Sequence, residues 1–162
     1  MPIFGKKEEK RRQLAESFKY LRPQDIHVGC TAQDRFEAIR MAGQQLVARG
    51  SVEPDYIEAM IVRENTVTTY IGEGVAIPHG VGEAKRLIKE TGLVVLQFPQ
   101  GVAFGDEQAQ LVIGIAGLGD EHLPILRAVA NIMLDEALLE RLKTTPDAAY
   151  IYRTLTAGES ES

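Results

Sequence analysis

Two stretches, LVVLQF at 93–98 and LVIGIAG at 111–117, are almost uninterrupted runs of apolar residues. Runs of this length and β-branched character suit strands buried on both faces. Elsewhere apolar positions recur at helical spacing. Phe36, Ile39, Met41, Ala42, Leu46 and Val47 supply one such face. A capping-box-like Thr31-x-x-Asp34 opens that helix and Gly50 closes it. Val52-Glu-Pro-Asp opens a second helix through Tyr56, Ile57, Met60 and Ile61 to about Glu64, with Pro54 suited to its first turn. Asp120, as N-cap, starts a third, EHLPILRAVANIML, with Pro124 where a missing N–H costs little. DEALLERL from Asp135 and DAAYIYRTL after Pro146 are two more.

Shorter segments fill the gaps. IHVGC near Asp25 reads as a strand. Thr66–Tyr70 is β-branched and extended, and leads through the IGEG turn into VAIPHG. Ala84–Glu90 reads as a helical turn, and PQGVAFGDE as a loop or hairpin between the two apolar runs. Helices thus precede, separate and follow strands. The pattern predicts a single α/β domain over 25–157, its sheet flanked by helices on both faces. Strand order is not readable from it. Residues 1–24 form a charged extension, helical over EEKRRQLAESFKYL and stopped by Pro23, with Leu14, Phe18 and Leu21 on one stripe for self-association or for packing on the domain. A polar tail at 158–162 is expected to be flexible.

Charge refines this picture. The 162-residue chain carries a net −5, unevenly spread. Residues 1–23 hold seven basic and three acidic side chains, whereas the rest hold eleven and twenty. An acidic body argues against nucleic-acid binding and favours a basic protein partner. The basic head reads as a solvated tail. One cysteine, Cys30, allows no disulfide within the chain and fits a reducing compartment. No apolar run approaches the roughly 20 residues needed to cross a bilayer, and no apolar segment follows the basic N-terminus as a secretory signal requires.

Candidate chemistry centres on the histidines. His79 closes an apolar strand after Pro78, beside Gly80 and Gly82, with Gly72 and Gly74 upstream. Proline restricts the approach and glycine leaves open space beside the ring. Composition alone leaves a reactive histidine and a turn histidine equally open. His122 falls near the start of a helix, where free N–H groups and the dipole favour an anion; an exposed polar residue is the plainer reading. Arg63, at the end of the second helix, is either a solvated cation or a fork aimed at a phosphate. His27, inside a strand, reads as a satisfied structural histidine, and Glu64 and Glu73 as surface acids. No nucleophile elbow, Walker A sequence, dinucleotide fingerprint or metal-ligand spacing is present. No metal or cofactor is expected.

With these residues in place a resemblance becomes clear. RENTVTTYIGEGVAIPHG, then GLVVLQFPQGVAFG, then LVIGIAG followed by EHL, strongly resemble the enzyme IIA component of the bacterial phosphotransferase system, mannitol/fructose type. AIRMAGQQLVARGSVEPDYIEAMIVREN points to its mannitol branch, and the similarity runs from about Asp25 to Leu155. The resemblance implies a mixed sheet and a cytoplasmic phosphocarrier. His79 would accept a phosphoryl group from phospho-HPr and pass it to a cysteine of enzyme IIB, which serves an enzyme IIC permease for a sugar or sugar alcohol such as mannitol. His122 would be the second active-site histidine and Arg63 would lie beside it. An apolar rim of Ile71, Val75 and Val81, ringed by acidic groups, is expected to receive the partner. The extension 1–24 matches no known role, and Cys30 does not match the enzyme IIB nucleophile. No membrane part is present, so the chain reads as a stand-alone enzyme IIA or one excised from a larger protein. Two other readings stay open: a nitrogen-type or regulator-associated module whose phosphorylation signals, and a binding module in which His79 is only structural.

Overall fold

Leu93 and Val95 are buried on one side of a strand, Val94 and Leu96 on the other. That strand therefore lies inside a sheet covered on both faces, which is what its continuous apolar run requires. The computed structural model describes residues 3–157. Its strands are β1 (Ile26–His27), β2 (Tyr70–Gly72), β3 (Val75–Ala76), β4 (Gly92–Phe104) and β5 (Glu107–Ala116). Across the sheet they run β1-β4-β5-β3-β2. β1 with β4 and β3 with β5 are parallel, while β4 with β5 and β2 with β3 are antiparallel. The sheet is thus mixed, in one α/β domain.

Among the described residues there are six α-helices: α1 (Ile3–Ser17), α2 (Arg35–Ala48), α3 (Tyr56–Thr66), α4 (His122–Met133), α5 (Glu136–Thr144) and α6 (Ala148–Ala157). Ile39, Leu46, Tyr56 and Met60 of α2 and α3 pack with Val94, Leu96 and Val112. Ile125, Val129, Leu139 and Ile151 of α4, α5 and α6 pack on the opposite face with Leu93, Val95 and Ile113. The stripe of the N-terminal stretch belongs to this second core: Phe18 and Leu21 are buried in it and Leu14 packs against it. Burying a Phe or Leu side chain is worth about 1.5–3 kcal/mol, enough to dock the end of α1 on the domain.

Several boundaries differ from the pattern. α1 stops at Ser17, ahead of Pro23, which instead opens a short 3-10 turn, Pro23–Asp25. β1 is only two residues long. α2 starts at Arg35, because Asp34 and not Thr31 is the N-cap, its carboxylate accepting from Glu37 N–H at 2.9 Å. Gly50, with φ of 85°, ends it as expected. α3 runs on to Thr66, so the strand begins only at Tyr70. Gly82–Leu87 is a 3-10 turn, and PQGVAFGDE is the far end of the β4–β5 hairpin, with an irregularity between Gln97 and Val102. The expected tail 158–162 lies outside the described residues. No described helix is long and apolar enough to cross a membrane.

Candidate active site

Because β3 and β5 are parallel, the chain leaves both at the same end of the sheet. Beyond β3, Ile115 N–H donates to Pro78 O at 3.0 Å, and His79 pairs with Ile115 in a parallel bridge. Beyond β5, Gly117 to Glu121 lead into α4, whose first residue is His122. The carboxyl ends of neighbouring strands are the usual site position in an open α/β sheet. Here they carry the two histidines singled out from the sequence.

His79 is half-buried, and its Nδ1 lies 2.6 Å from Ile77 O. A carbonyl only accepts, so the neutral ring places its proton on Nδ1 and keeps the Nε2 lone pair. The loop behind it is clamped. Gly80 N–H donates to Tyr56 Oη at 2.8 Å, and Tyr56 O–H donates to Ile115 O at 3.0 Å. Burial pushes the Tyr56 hydroxyl up to about 12, so it remains a protonated bridge. A Cβ on Gly80 would come within 2.8 Å of the Tyr56 ring, so the close approach needs glycine.

The electrostatics favour a neutral imidazole. Burial lowers the proton affinity of His79; the positive charges of Arg63 and Lys85 and electrostatic repulsion from His122 lower it further, against the Ile77 contact. Arg63 lies in the last turn of α3, and its Nε is buried with no hydrogen-bond partner. Its neighbour Glu64 is not the surface acid that composition suggests. Glu64 is buried, accepts from Thr69 N–H and Thr69 Oγ1 at 2.8 Å each, and faces Arg35 Nε at 3.5 Å. It thereby ties the end of α3 to the segment entering the β2–β3 hairpin. Glu73 sits at the tip of that hairpin with φ of 51° and is exposed.

His122 occupies the first position of α4, and its N-cap is Glu121 rather than Asp120. Thr91 braces the turn: its hydroxyl donates to the Glu121 carboxylate and accepts from Leu118 N–H at 3.0 Å. A Cβ on Gly117 would fall 2.7 Å from the backbone nitrogen of His122, so the turn demands glycine. Lys85, from the 3-10 turn after His79, donates from Nζ to Gly119 O at 2.6 Å and sits 3.3 Å from His122 Nδ1. Sequence reasoning missed Lys85 and the hydroxyl of Tyr56. A cation six residues beyond the histidine was the available signal for the first. Nothing local marked the second.

The rim differs in part from expectation. Val75 is only 1% exposed and belongs to the core, whereas Val81 is 46% exposed. Ile71 is exposed, but the hairpin register places it beside Val75 and Ala76, toward the turn and away from His79. Leu118 and Leu123, flanking His122, are exposed instead. Beside Arg63 an open groove of about 560 Å³ is lined by Asp55, Glu58, Val62, Val81 and Ala84 among others. His27 lies on β1, at the far edge of the sheet, and takes no part. Its Nε2 is buried without a partner, so the expectation of a satisfied ring does not hold.

Comparison with known proteins places this arrangement. The sequence profile of the phosphoenolpyruvate-dependent sugar phosphotransferase system, EIIA 2, matches residues 19–158. The PTS system mannitol-specific EIICBA component of Escherichia coli (strain K12) is 46% identical over 134 residues, which are 81% of this chain and 21% of that protein. The crystal structure of IIA mannitol from Escherichia coli superposes with a TM-score of 0.76 at 44% identity, covering 81% of this chain and 95% of that one. A complex of enzyme IIAMTL with phosphorylated enzyme IIBMTL from Escherichia coli gives 0.78 at 43% identity, covering 82% and 94%. The chain spans about a fifth of the length of the curated mannitol-specific relatives it matches. It belongs to the EIIA 2 family of the phosphoenolpyruvate-dependent sugar phosphotransferase system, as a phosphotransferase domain of the enzyme IIA type.

Proposed function

We propose that this protein is a cytoplasmic phosphocarrier whose acceptor is Nε2 of His79. Phospho-HPr is the donor, and a cysteine of an enzyme IIB attached to an enzyme IIC permease is the acceptor. The single observation that carries the reading is the 2.6 Å contact of His79 Nδ1 with Ile77 O, which commits one ring nitrogen and leaves the other as a nucleophile. In the first step the Nε2 lone pair attacks phosphorus and the P–N bond of phospho-HPr breaks. In the second a cysteine thiolate attacks the same phosphorus and the P–Nε2 bond breaks. Throughout, the proton stays on Nδ1, which donates it to the Ile77 carbonyl.

Such transfers depend on positioning and charge neutralisation more than on covalent machinery. Arg63, with its unpartnered buried Nε, and His122, at the start of α4, would hold the phosphoryl oxygens. The groove of Asp55, Glu58, Val62 and Val81 offers apolar and acidic contacts to a basic partner. Similarity to mannitol-specific relatives supports a sugar alcohol such as mannitol as the cargo of the pathway. The carrier unit is the domain over 25–157, the N-terminal extension packing on it through Phe18 and Leu21.

The test is intact mass after incubation with phosphoenolpyruvate, enzyme I and HPr, held at alkaline pH because phosphohistidine hydrolyses in acid. Wild type is expected to gain one phosphate and His79→Ala none. Phosphate gained equally by His79→Ala would move the acceptor to another residue. No gain in wild type would leave the fold without the activity.

A further inference from the structure

We propose that Lys85 is a positioning residue for this transfer, holding the His122 ring so that its proton sits on Nε2. The proposal rests on the phosphocarrier reading for its consequence, but not for its geometry.

The Lys85 ammonium is anchored at 2.6 Å on Gly119 O, in the turn that leads into α4, and lies 3.3 Å from His122 Nδ1. An ammonium has three donors and no acceptor. A ring nitrogen in contact with it must therefore offer a lone pair. If Nδ1 accepts, the neutral imidazole carries its hydrogen on Nε2, and the ring cannot rotate without losing the contact. Lys85 and His122 are 37 positions apart in sequence, so only the fold makes this pair.

The chemical need is specific. A phosphoryl group on His79 presents only acceptor oxygens, so His122 assists it only by presenting an N–H. Lys85 commits the ring to a donor at Nε2, as partners behind a metal-bound histidine fix which nitrogen meets the metal. Removing such a partner typically costs about 10–100-fold.

The experiment combines a ring measurement with a mutant cycle. Two-bond proton–nitrogen correlation spectra of ¹⁵N-histidine-labelled wild type, recorded where the rings are neutral, should show His122 with protonated Nε2 and unprotonated Nδ1. In Lys85→Met the two nitrogens should move toward averaged values, and Lys85→Arg should restore them. Phosphoryl transfer from phospho-HPr should slow about 10–100-fold in Lys85→Met. That slowing should vanish in a His122→Ala background. A wild-type ring protonated on Nδ1, or spectra unchanged in Lys85→Met, would overturn the proposal. So would equal slowing with and without His122, which would make Lys85 a direct contact of the phosphoryl group. Loss of the native spectrum in Lys85→Met would shift the decision to Lys85→Gln, read the same way. A wild-type chain that takes no phosphate would sink the carrier reading, and the ring spectra would still decide whether Lys85 holds His122.

Discussion

The imidazole of His79 has two nitrogens, and the carbonyl of Ile77 claims one of them. Burial first, and then electrostatic repulsion from Arg63, His122 and Lys85, lower its proton affinity. An unfolded chain titrates its histidines near pH 6.5. Between that value and the lowered one the unfolded chain binds more protons, so stability rises with pH there and is lost as pH falls through the window. His79→Gln should flatten this part of the curve in urea unfolding measured from pH 5 to 8; an unchanged curve would mean that His79 titrates as an exposed histidine does. The rate of phosphoryl acceptance should stay level through neutral pH and fall only below about 6.5. For Arg63→Ala and His122→Ala, single-turnover transfer should slow by about a hundred- to a thousandfold, or roughly 3–4 kcal/mol of barrier each. A variant that transfers at the wild-type rate would remove its residue from the mechanism.

Elements hold these residues through contacts between segments far apart in sequence. The Tyr56 hydroxyl begins α3 yet joins the backbone of Gly80 to that of Ile115. Tyr56→Phe leaves a buried N–H and a buried carbonyl short of a partner, a cost of about 1–3 kcal/mol in stability. Chemical denaturation should show this loss, with slower transfer because the His79 loop is no longer clamped. Loss of stability with transfer untouched would confine the clamp to folding. Asp34 shows why boundaries were hard to place. Thr31 and Asp34 are both good N-caps, and only the carboxylate that meets Glu37 N–H decides between them. Glu64 teaches a related lesson. A glutamate in a polar helix end reads as solvated, yet the turn after α3 folds Thr69 back onto it and buries it.

Across the whole molecule, charge is segregated between a basic N-terminal stretch and an acidic body. An acidic surface around the groove beside Arg63 should speed encounter with a basic donor protein. Stopped-flow association with HPr should therefore slow as salt rises from 50 to 500 mM, over a range where the Debye length shrinks to a few ångströms. An association rate independent of salt would rule out steering.

By itself the sequence determined which segments form elements and which residues are candidates for the chemistry. The apolar runs at 93–98 and 111–117 could be stable only as strands covered on both faces, and the helical periodicities supplied the covers. Pro78, His79 and the glycines around them marked a constrained imidazole because those residue types act on the backbone locally. Arg63 and His122 were legible as candidates for the same reason, each at a helix end. Tertiary structure alone decided the rest. The parallel pairing of β3 with β5 carries His79 and His122 to one end of the sheet, and no local pattern encodes which strands become neighbours. It also buried Val75, exposed Leu118 and Leu123, and set Lys85 against His122. Local propensity acts over a few residues, whereas a site is made by strand order, which depends on how the whole apolar surface is best covered.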